Sequence, residues 1–219
     1  MLHRFAGAAA LLIITSVLAS CSGRDTASEP GKTDTAATAA DTTASSVQGV
    51  EIASEQGGFS VRMPVGFSNP REGRQPLIAG SDTSWMISYT AVRDTSTAFI
   101  VAYTQVQQTT QVDPAQVFDM AREATLRNIN GTLERQESRT LQGYAGRSMY
   151  YTGMLDSVRY YGRADFYLAM PKLYQIYYVS REPGGASTPA VSAAFASFRL
   201  RDSAVTAPAP DTTAADSIR

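Results

Sequence analysis

The stretch RSMYYTGMLDSVRYYGRADFYLAMPKLYQIYYVS, Arg147 to Ser180, decides how this chain folds. Nine of the 11 tyrosines lie between Tyr144 and Tyr178, so aromatic and β-branched residues, which suit a pleated and half-buried surface, are concentrated here. Two interruptions carry turn chemistry: Leu155-Asp156-Ser157 and Met170-Pro171-Lys172. The pattern predicts an antiparallel meander of three strands, Arg147 to Met154, Val158 to Ala169 and Leu173 to Ser180.

Strand side chains point alternately to the two faces of a sheet, so each pair Tyr150-Tyr151, Tyr160-Tyr161 and Tyr177-Tyr178 sends one ring each way. On the middle strand Val158, Tyr160, Gly162, Ala164, Phe166 and Leu168 form the face expected in the core. The opposite face carries Arg159, Tyr161, Arg163, Asp165 and Tyr167. Tyr and Arg are enriched at recognition surfaces, which makes Arg159, Tyr161, Arg163 and Tyr167 a candidate binding surface. The alternative is a cross-strand ladder, with Arg163 and Asp165 paired to neighbours and the rings covered by a helix.

Upstream of the meander a helix is predicted from Asp113. Asp113 is a good N-cap, Pro114 suits the first helical position, and Gln116 stands where its side chain can reach back to the cap. Val117, Phe118, Ala121, Ala124 and Ile129 fall on one apolar stripe, and Asn130-Gly131 closes the element. Leu133 to Thr140 reads as a further strand. Trp85 to Arg93 and Ala98 to Gln107 read as a hairpin around Asp94-Thr95-Ser96-Thr97, and Phe59 to Pro64 alternates as a half-buried strand. Asn69 to Ser84 reads as loop. Downstream, a last helix begins near Thr188-Pro189, with Val191, Ala194, Phe195 and Phe198 on one face.

FSVRMPVGF at 59 to 67, the helix opening at Asp113-Pro114, the G-x-x-G-R step from Gly143 to Arg147, the meander ending LYQIYYVS and the closing Phe195-Ala196-Ser197-Phe198-Arg199 together resemble the PsbP-like superfamily. That superfamily includes the photosystem-associated PsbP proteins and bacterial envelope lipoproteins of the DcrB and LpqN type. The resemblance implies an α+β fold, an antiparallel sheet covered by helices on both faces in an α/β/α sandwich. It also implies a mostly non-enzymatic, protein-binding role, with no catalytic residues to carry over. The metal ligands proposed for photosynthetic members find no histidine in this domain.

The N-terminus reads as an address. Arg4 is followed by an apolar run from Phe5 to Val17, the length of a signal-peptide core and shorter than the roughly 20 residues a bilayer span takes. Leu18-Ala19-Ser20-Cys21 then resembles a lipobox, which implies residues 1–20 as a lipoprotein signal peptide and Cys21 as the lipidated first residue of the mature chain. Several acyl chains there anchor firmly, since each buried CH₂ contributes roughly 0.8 kcal/mol. Ser22 rather than Asp follows Cys21, so the expected placement in a two-membrane cell is the outer membrane, facing the periplasm.

Residues 22–48 hold six Thr, six Ala and no aromatic residue, and cannot bury enough apolar surface to offset the entropy of ordering them. Residues 21–48 are therefore expected to be a disordered tether, with a reach of about 30 Å on flexible-coil scaling. Residues 202–219 read as a second disordered tail. Each flank carries −2, whereas 49–201, the expected domain, has 15 bases against 13 acids.

This balance gives no basic excess for a nucleic-acid backbone. The only histidine is His3 and the only cysteine Cys21, so Ser-His-Asp and Cys-His catalysis and histidine-ligated zinc are excluded from the mature domain, and no metal or other cofactor is expected. The remaining methionines are scattered and read as core filling, and Asp82, Asp94 and Asp156 as turn chemistry. The Asp-Thr pairs of the flanks read as low-complexity spacer rather than calcium loops. The function expected is a lipid-anchored, non-catalytic module that binds an envelope protein. A carrier of a small apolar ligand and a carboxylate-dependent envelope hydrolase are the alternatives.

Overall fold

The computed structural model describes residues 49–79, 82–106 and 112–201. The signal peptide, Cys21, the tether and the C-terminal tail of the sequence reading lie outside the described residues.

The meander forms where its turn chemistry places it. Strands β6 (Thr132–Leu141), β7 (Tyr144–Leu155), β8 (Val158–Ala169) and β9 (Lys172–Ser180) run antiparallel, each beside the next. The β6–β7 turn has positive φ at both Gln142 (49°) and Gly143 (87°), and the β7–β8 turn at both Asp156 (49°) and Ser157 (65°). Two successive positive φ values give a turn whose twist matches that of the flanking strands. Asp is among the few non-glycine residues that reach this region at modest cost.

The expected hairpin is also present, as β4 (Asp82–Asp94) and β5 (Thr97–Gln105), and β5 joins the meander by pairing with β9. The segment expected to be loop from Asn69 contains a strand instead. β3 (Arg71–Ala79) pairs with β4 along its whole length, from Arg71 opposite Thr90 to Ala79 opposite Asp82. It lies at the sheet edge, where charged residues and Pro76 are tolerated because one side of the backbone has no partner strand. The result is a seven-stranded antiparallel sheet in the order β3-β4-β5-β9-β8-β7-β6.

Helix α1 (Pro114–Asn128) covers one face. Asp113 accepts a hydrogen bond from the Ala115 N–H at 2.9 Å, and the chain turns out after Ile129 through Asn130 at positive φ. Val117, Phe118 and Ile129 pack with Met86, Ile100, Met149, Tyr151, Phe166 and Tyr177.

The other face corrects the expected sandwich. The protein is mostly β, with two sheets and only two α-helices among the described residues, and helices do not cover both faces. A second sheet of three short strands, β1 (Glu51–Ser54), β2 (Phe59–Arg62) and β10 (Arg199–Leu200), shares this face with α2 (Pro189–Ala196). The cause is length: eight helical residues extend only about 12 Å, less than the span of strands 9 to 13 residues long beneath them. Phe59 of β2 fills the gap, fully buried against Tyr89, Tyr103, Tyr174 and Phe198 with ring centroids 5.6 to 6.2 Å apart.

The small sheet is pinned by side chains of the large one. Lys172 Nζ donates to the Gln56 and Gly57 carbonyls, Tyr174 OH donates to Gly57, and the Gln142 amide bonds both the N–H and the C=O of Leu200.

Candidate functional site

The face of β8 that carries the Tyr/Arg residues is the face that the small sheet and α2 pack against. Arg163 and Tyr167 are each only 6% exposed, so these two do not belong to an exposed surface as the sequence reading expected. Asp165 between them is 2% exposed. Arg159 is exposed and Tyr161 half-buried.

Burying a carboxylate and a guanidinium is costly unless each is paired and hydrogen-bonded. Here both conditions are met. Arg163 approaches Asp165 in a bidentate fork, Nε to Oδ1 at 3.0 Å and Nη2 to Oδ2 at 2.9 Å. Ser148 Oγ donates to Oδ1 from the neighbouring strand at 2.6 Å, and Tyr167 OH donates to Oδ2 at 3.3 Å. Register explains the convergence: Ser148 stands directly opposite Asp165 across β7–β8, and residues 163, 165 and 167 share one face.

Rings close over the ion pair. The Arg163 guanidinium lies 4.1 Å from the Phe195 ring of α2 and 5.5 Å from Tyr150, and Tyr167 stacks on Phe198 at 5.9 Å with planes 9° apart. Burial disfavours the charged Arg163, but the hydrogen bonds and charge of Asp165 outweigh it and hold the guanidinium above its ordinary pKa. Burial, reinforced by the Asp165 charge, pushes the Tyr167 hydroxyl up. The cluster thus spends its polar groups on one another, and its chemistry is that of a structural ion pair.

What remains open on this face runs from β8 to the sheet edge. Met154 stands opposite Arg159, Thr152 opposite Tyr161, and Tyr150 opposite Arg163. Arg135 of β6 lies opposite Tyr150 and places its guanidinium 4.1 Å over that ring. Met154, the next-to-last residue of β7 beside the β7–β8 turn, is 37% exposed. Sequence reading missed Ser148, Tyr150, Met154 and Arg135 because each joins the face only through cross-strand register. The signal available in the sequence is parity: counted from the β7–β8 turn, Met154 and Arg159 fall opposite each other.

Among the described residues no group of three or more His, Cys, Asp or Glu side chains is placed to hold a metal ion, and no helix is long and apolar enough to cross a membrane. Cys21 lies outside those residues.

No protein-family model matches the sequence. A comparison with curated proteins finds no match. Among solved structures, the chain is similar to the solution structure of cyanobacterial PsbP (CyanoP) from Synechocystis sp. PCC 6803, at 10% identity over 74% of this chain and 98% of that one, with a TM-score of 0.49. It is also similar to the crystal structure of a protein of unknown function from Pseudomonas aeruginosa, at 11% identity over 65% of this chain and 84% of that one, with a TM-score of 0.35.

Proposed function

We propose that this protein is a lipid-anchored envelope lipoprotein whose PsbP-like domain is a non-catalytic, protein-binding module. The observation that carries the anchor is Leu18-Ala19-Ser20-Cys21, standing directly after an apolar run of signal-peptide length and ahead of 27 low-complexity residues. Lipid on Cys21 fixes the chain to a membrane, and the tether lets the domain sample the space beside it. The non-catalytic role is supported by the domain's composition and by its buried charges. Between residues 49 and 201 there is no histidine or cysteine, and the Ser148 hydroxyl and Asp165 carboxylate are bonded to each other beneath α2. The binding role is supported by exposed Met154 and Arg159 beside half-buried Tyr161, whose residue types are those of recognition surfaces.

Mass spectrometry of the protein extracted from membranes tests the anchor. The expected result is a chain beginning at Cys21 with diacylglyceryl and acyl mass added, and its loss from the membrane fraction in Cys21→Ser. An N-terminus elsewhere, or membrane association unchanged in Cys21→Ser, refutes it. A photocrosslinking side chain placed in turn at Tyr161, Ser138, Glu123 and Trp85 tests the module in cells. No protein adduct at any of the four positions would refute a binding role.

A further inference from the structure

We infer that β6 pairs edge to edge with β6 of a second copy of this chain, antiparallel about a two-fold axis through Ser138, giving a symmetric dimer with one continuous sheet. This goes beyond the binding-module reading and stands without it. The large sheet has two edges, β3 and β6. β3 carries Pro76, which removes a backbone donor and guards an edge, whereas β6 has neither proline nor glycine in its ten residues, seven of which are exposed. Its pairing with β7 shifts once, between Leu133 and Arg135, and then runs unbroken from Arg135 to Leu141. Leu141 and Tyr144 flank the two-residue turn Gln142-Gly143, and residues so placed bond each other. Bonded and open positions alternate from there, so the backbone N–H and C=O of Gln136, Ser138 and Thr140 point away from β7.

The segment Gln136-Glu137-Ser138-Arg139-Thr140 complements itself when reversed. With Ser138 opposite Ser138 of the second copy, Gln136 lies opposite Thr140 and Thr140 opposite Gln136, which brings all three outward backbone positions into register. On one face Glu137 then meets Arg139 of the second copy, and Arg139 meets its Glu137, two opposite-charge pairs. On the other face Ser138 meets Ser138, and Gln136 meets Thr140. Gln136 accepts from Arg122 through its carbonyl oxygen, so its amide nitrogen is free to donate to the Thr140 hydroxyl. At each end Arg135 lies opposite Leu141, where its stem covers apolar surface while its guanidinium stays over the Tyr150 ring. Every contact is made twice, as a two-fold interface requires.

Charge selects this register. Centring the axis on Glu137 sets Glu137 against Glu137 and Arg135 against Arg139, like charges directly opposite each other. Centring it on Gln136 carries the pairing into the bulge at Glu134. A charged edge deters pairing where like meets like, and the Ser138 register turns the same residues into partners. Glu134 and Glu137 balance Arg135 and Arg139, so β6 has no net charge that favours a segment of one sign over its own complement. The axis stands perpendicular to the sheet, so both small sheets lie on one side, and both chains enter β1 from residue 49 on that side. Two copies tethered to one membrane, as proposed above, can therefore pair, and confinement there raises their effective concentration.

Sedimentation of the full mature chain across a concentration series reads the association, and hydrogen exchange at low and high concentration locates it. The expected result is a monomer–dimer equilibrium with added protection at the amides of Gln136, Ser138 and Thr140. Glu137→Arg or Arg139→Glu alone sets like charges opposite each other and should weaken association roughly tenfold or more. The two together restore both pairs with the charges exchanged, and should return the affinity to within about threefold of wild type. Opposed residues of a bonded antiparallel pair stand about 5.5 Å apart at Cα, a distance a disulfide spans. Ser138→Cys, in a chain where Cys21→Ser leaves no other thiol, should therefore link two copies on mild oxidation, whereas Gln136→Cys and Thr140→Cys, which do not face themselves, should not. A chain monomeric up to millimolar concentration, protection elsewhere, single reversals without effect, a double reversal without rescue, or disulfides formed as readily at Gln136→Cys overturns the inference. In the cell crosslinking above, an adduct at Ser138 joining two copies supports the dimer and does not count as an envelope partner. Adducts to another protein with none between copies overturn the dimer and leave the binding module standing.

Discussion

Replacing Asp165 by Asn keeps the shape of the side chain and removes its charge, which isolates what the carboxylate does for the buried cluster. Wild-type Asp165 satisfies two Arg163 nitrogens, the Ser148 hydroxyl and the Tyr167 hydroxyl while 2% exposed. In Asp165→Asn the 6% exposed guanidinium keeps its charge without a counter-ion, and the amide nitrogen faces donors where an oxygen accepted. Breaking a buried pair from one side costs about 3–5 kcal/mol, a large part of the roughly 5–15 kcal/mol that holds a domain folded. At about 2–4 °C per kcal/mol for a domain of this size, the thermal midpoint should fall by about 6–20 °C. The combined variant Ser148→Ala, Arg163→Met, Asp165→Leu and Tyr167→Phe removes donors, charge and acceptor together, and should lose less than Asp165→Asn alone despite the lost contact with Phe195. Urea unfolding of the mature chain, with midpoint and slope compared across the three proteins, decides it. A single variant within about 1 kcal/mol of wild type would show that the pair carries little of the fold. A combined variant weaker than the single one would place the stabilisation in packing around Arg163 rather than in charge.

Gly162 admits no larger residue: a Cβ there would stand 2.3 Å from the Tyr151 ring, so Gly162→Ala should destabilise by about 1–3 kcal/mol or more, read by thermal melting. Tyr151→Phe deletes a buried hydroxyl that has no hydrogen-bond partner, so its midpoint should stay level or rise by up to about 1 kcal/mol equivalent, and a loss larger than that would contradict the packing described. The Ser96 hydroxyl, which outweighs burial together with the Ser96 N–H and Arg93, holds the Asp94 carboxyl down at about 2. Because the folded value lies below the unfolded one, this stabilisation is complete above about pH 4 and vanishes as pH falls through 2. Urea midpoints between pH 5 and pH 2 should therefore converge for wild type and Asp94→Asn at the acid end, and a constant gap would contradict it.

The meander, the β4–β5 hairpin and both helices were legible because each carries local signals: positive-φ turn residues, Asp113 and Thr188 caps, and a proline directly after each cap. β8 begins and ends at the residues its sequence pattern marks, Val158 and Ala169. The small sheet was not legible, because β1 has four residues and β10 two, too few for any alternation to emerge. Its existence is a consequence of tertiary packing: β2 pairs on one side with its sequence neighbour and on the other with residues about 140 positions later. β3 was hidden for a different reason. Gly73 and Pro76 are breakers in a central strand, and only its place at an edge makes REGRQPLIA compatible with pairing along its full length.

The candidate face shows where period-two reading stops. Alternation assigns Arg159, Tyr161, Arg163, Asp165 and Tyr167 to one side of β8 correctly, but it is silent on what lies over each of them. Burial grades along that single row, from exposed Arg159 through half-buried Tyr161 to Arg163, Asp165 and Tyr167, because α2 and β10 cover only its C-terminal part. The same two residue types therefore do two different jobs eight residues apart: at one end an exposed Arg beside Met154, at the other a Tyr stacked on Phe198 beneath the cover. The internal pairing of Arg163 with Asp165 matters to the open end as well. It holds the Tyr150 ring between the Arg163 and Arg135 guanidinium groups, 5.5 and 4.1 Å away, and so ties the sheet edge to the covered core. The β6 edge inherits its rigidity from that buried pair, which is why loss of Asp165 should loosen the edge as well as lower the melting point.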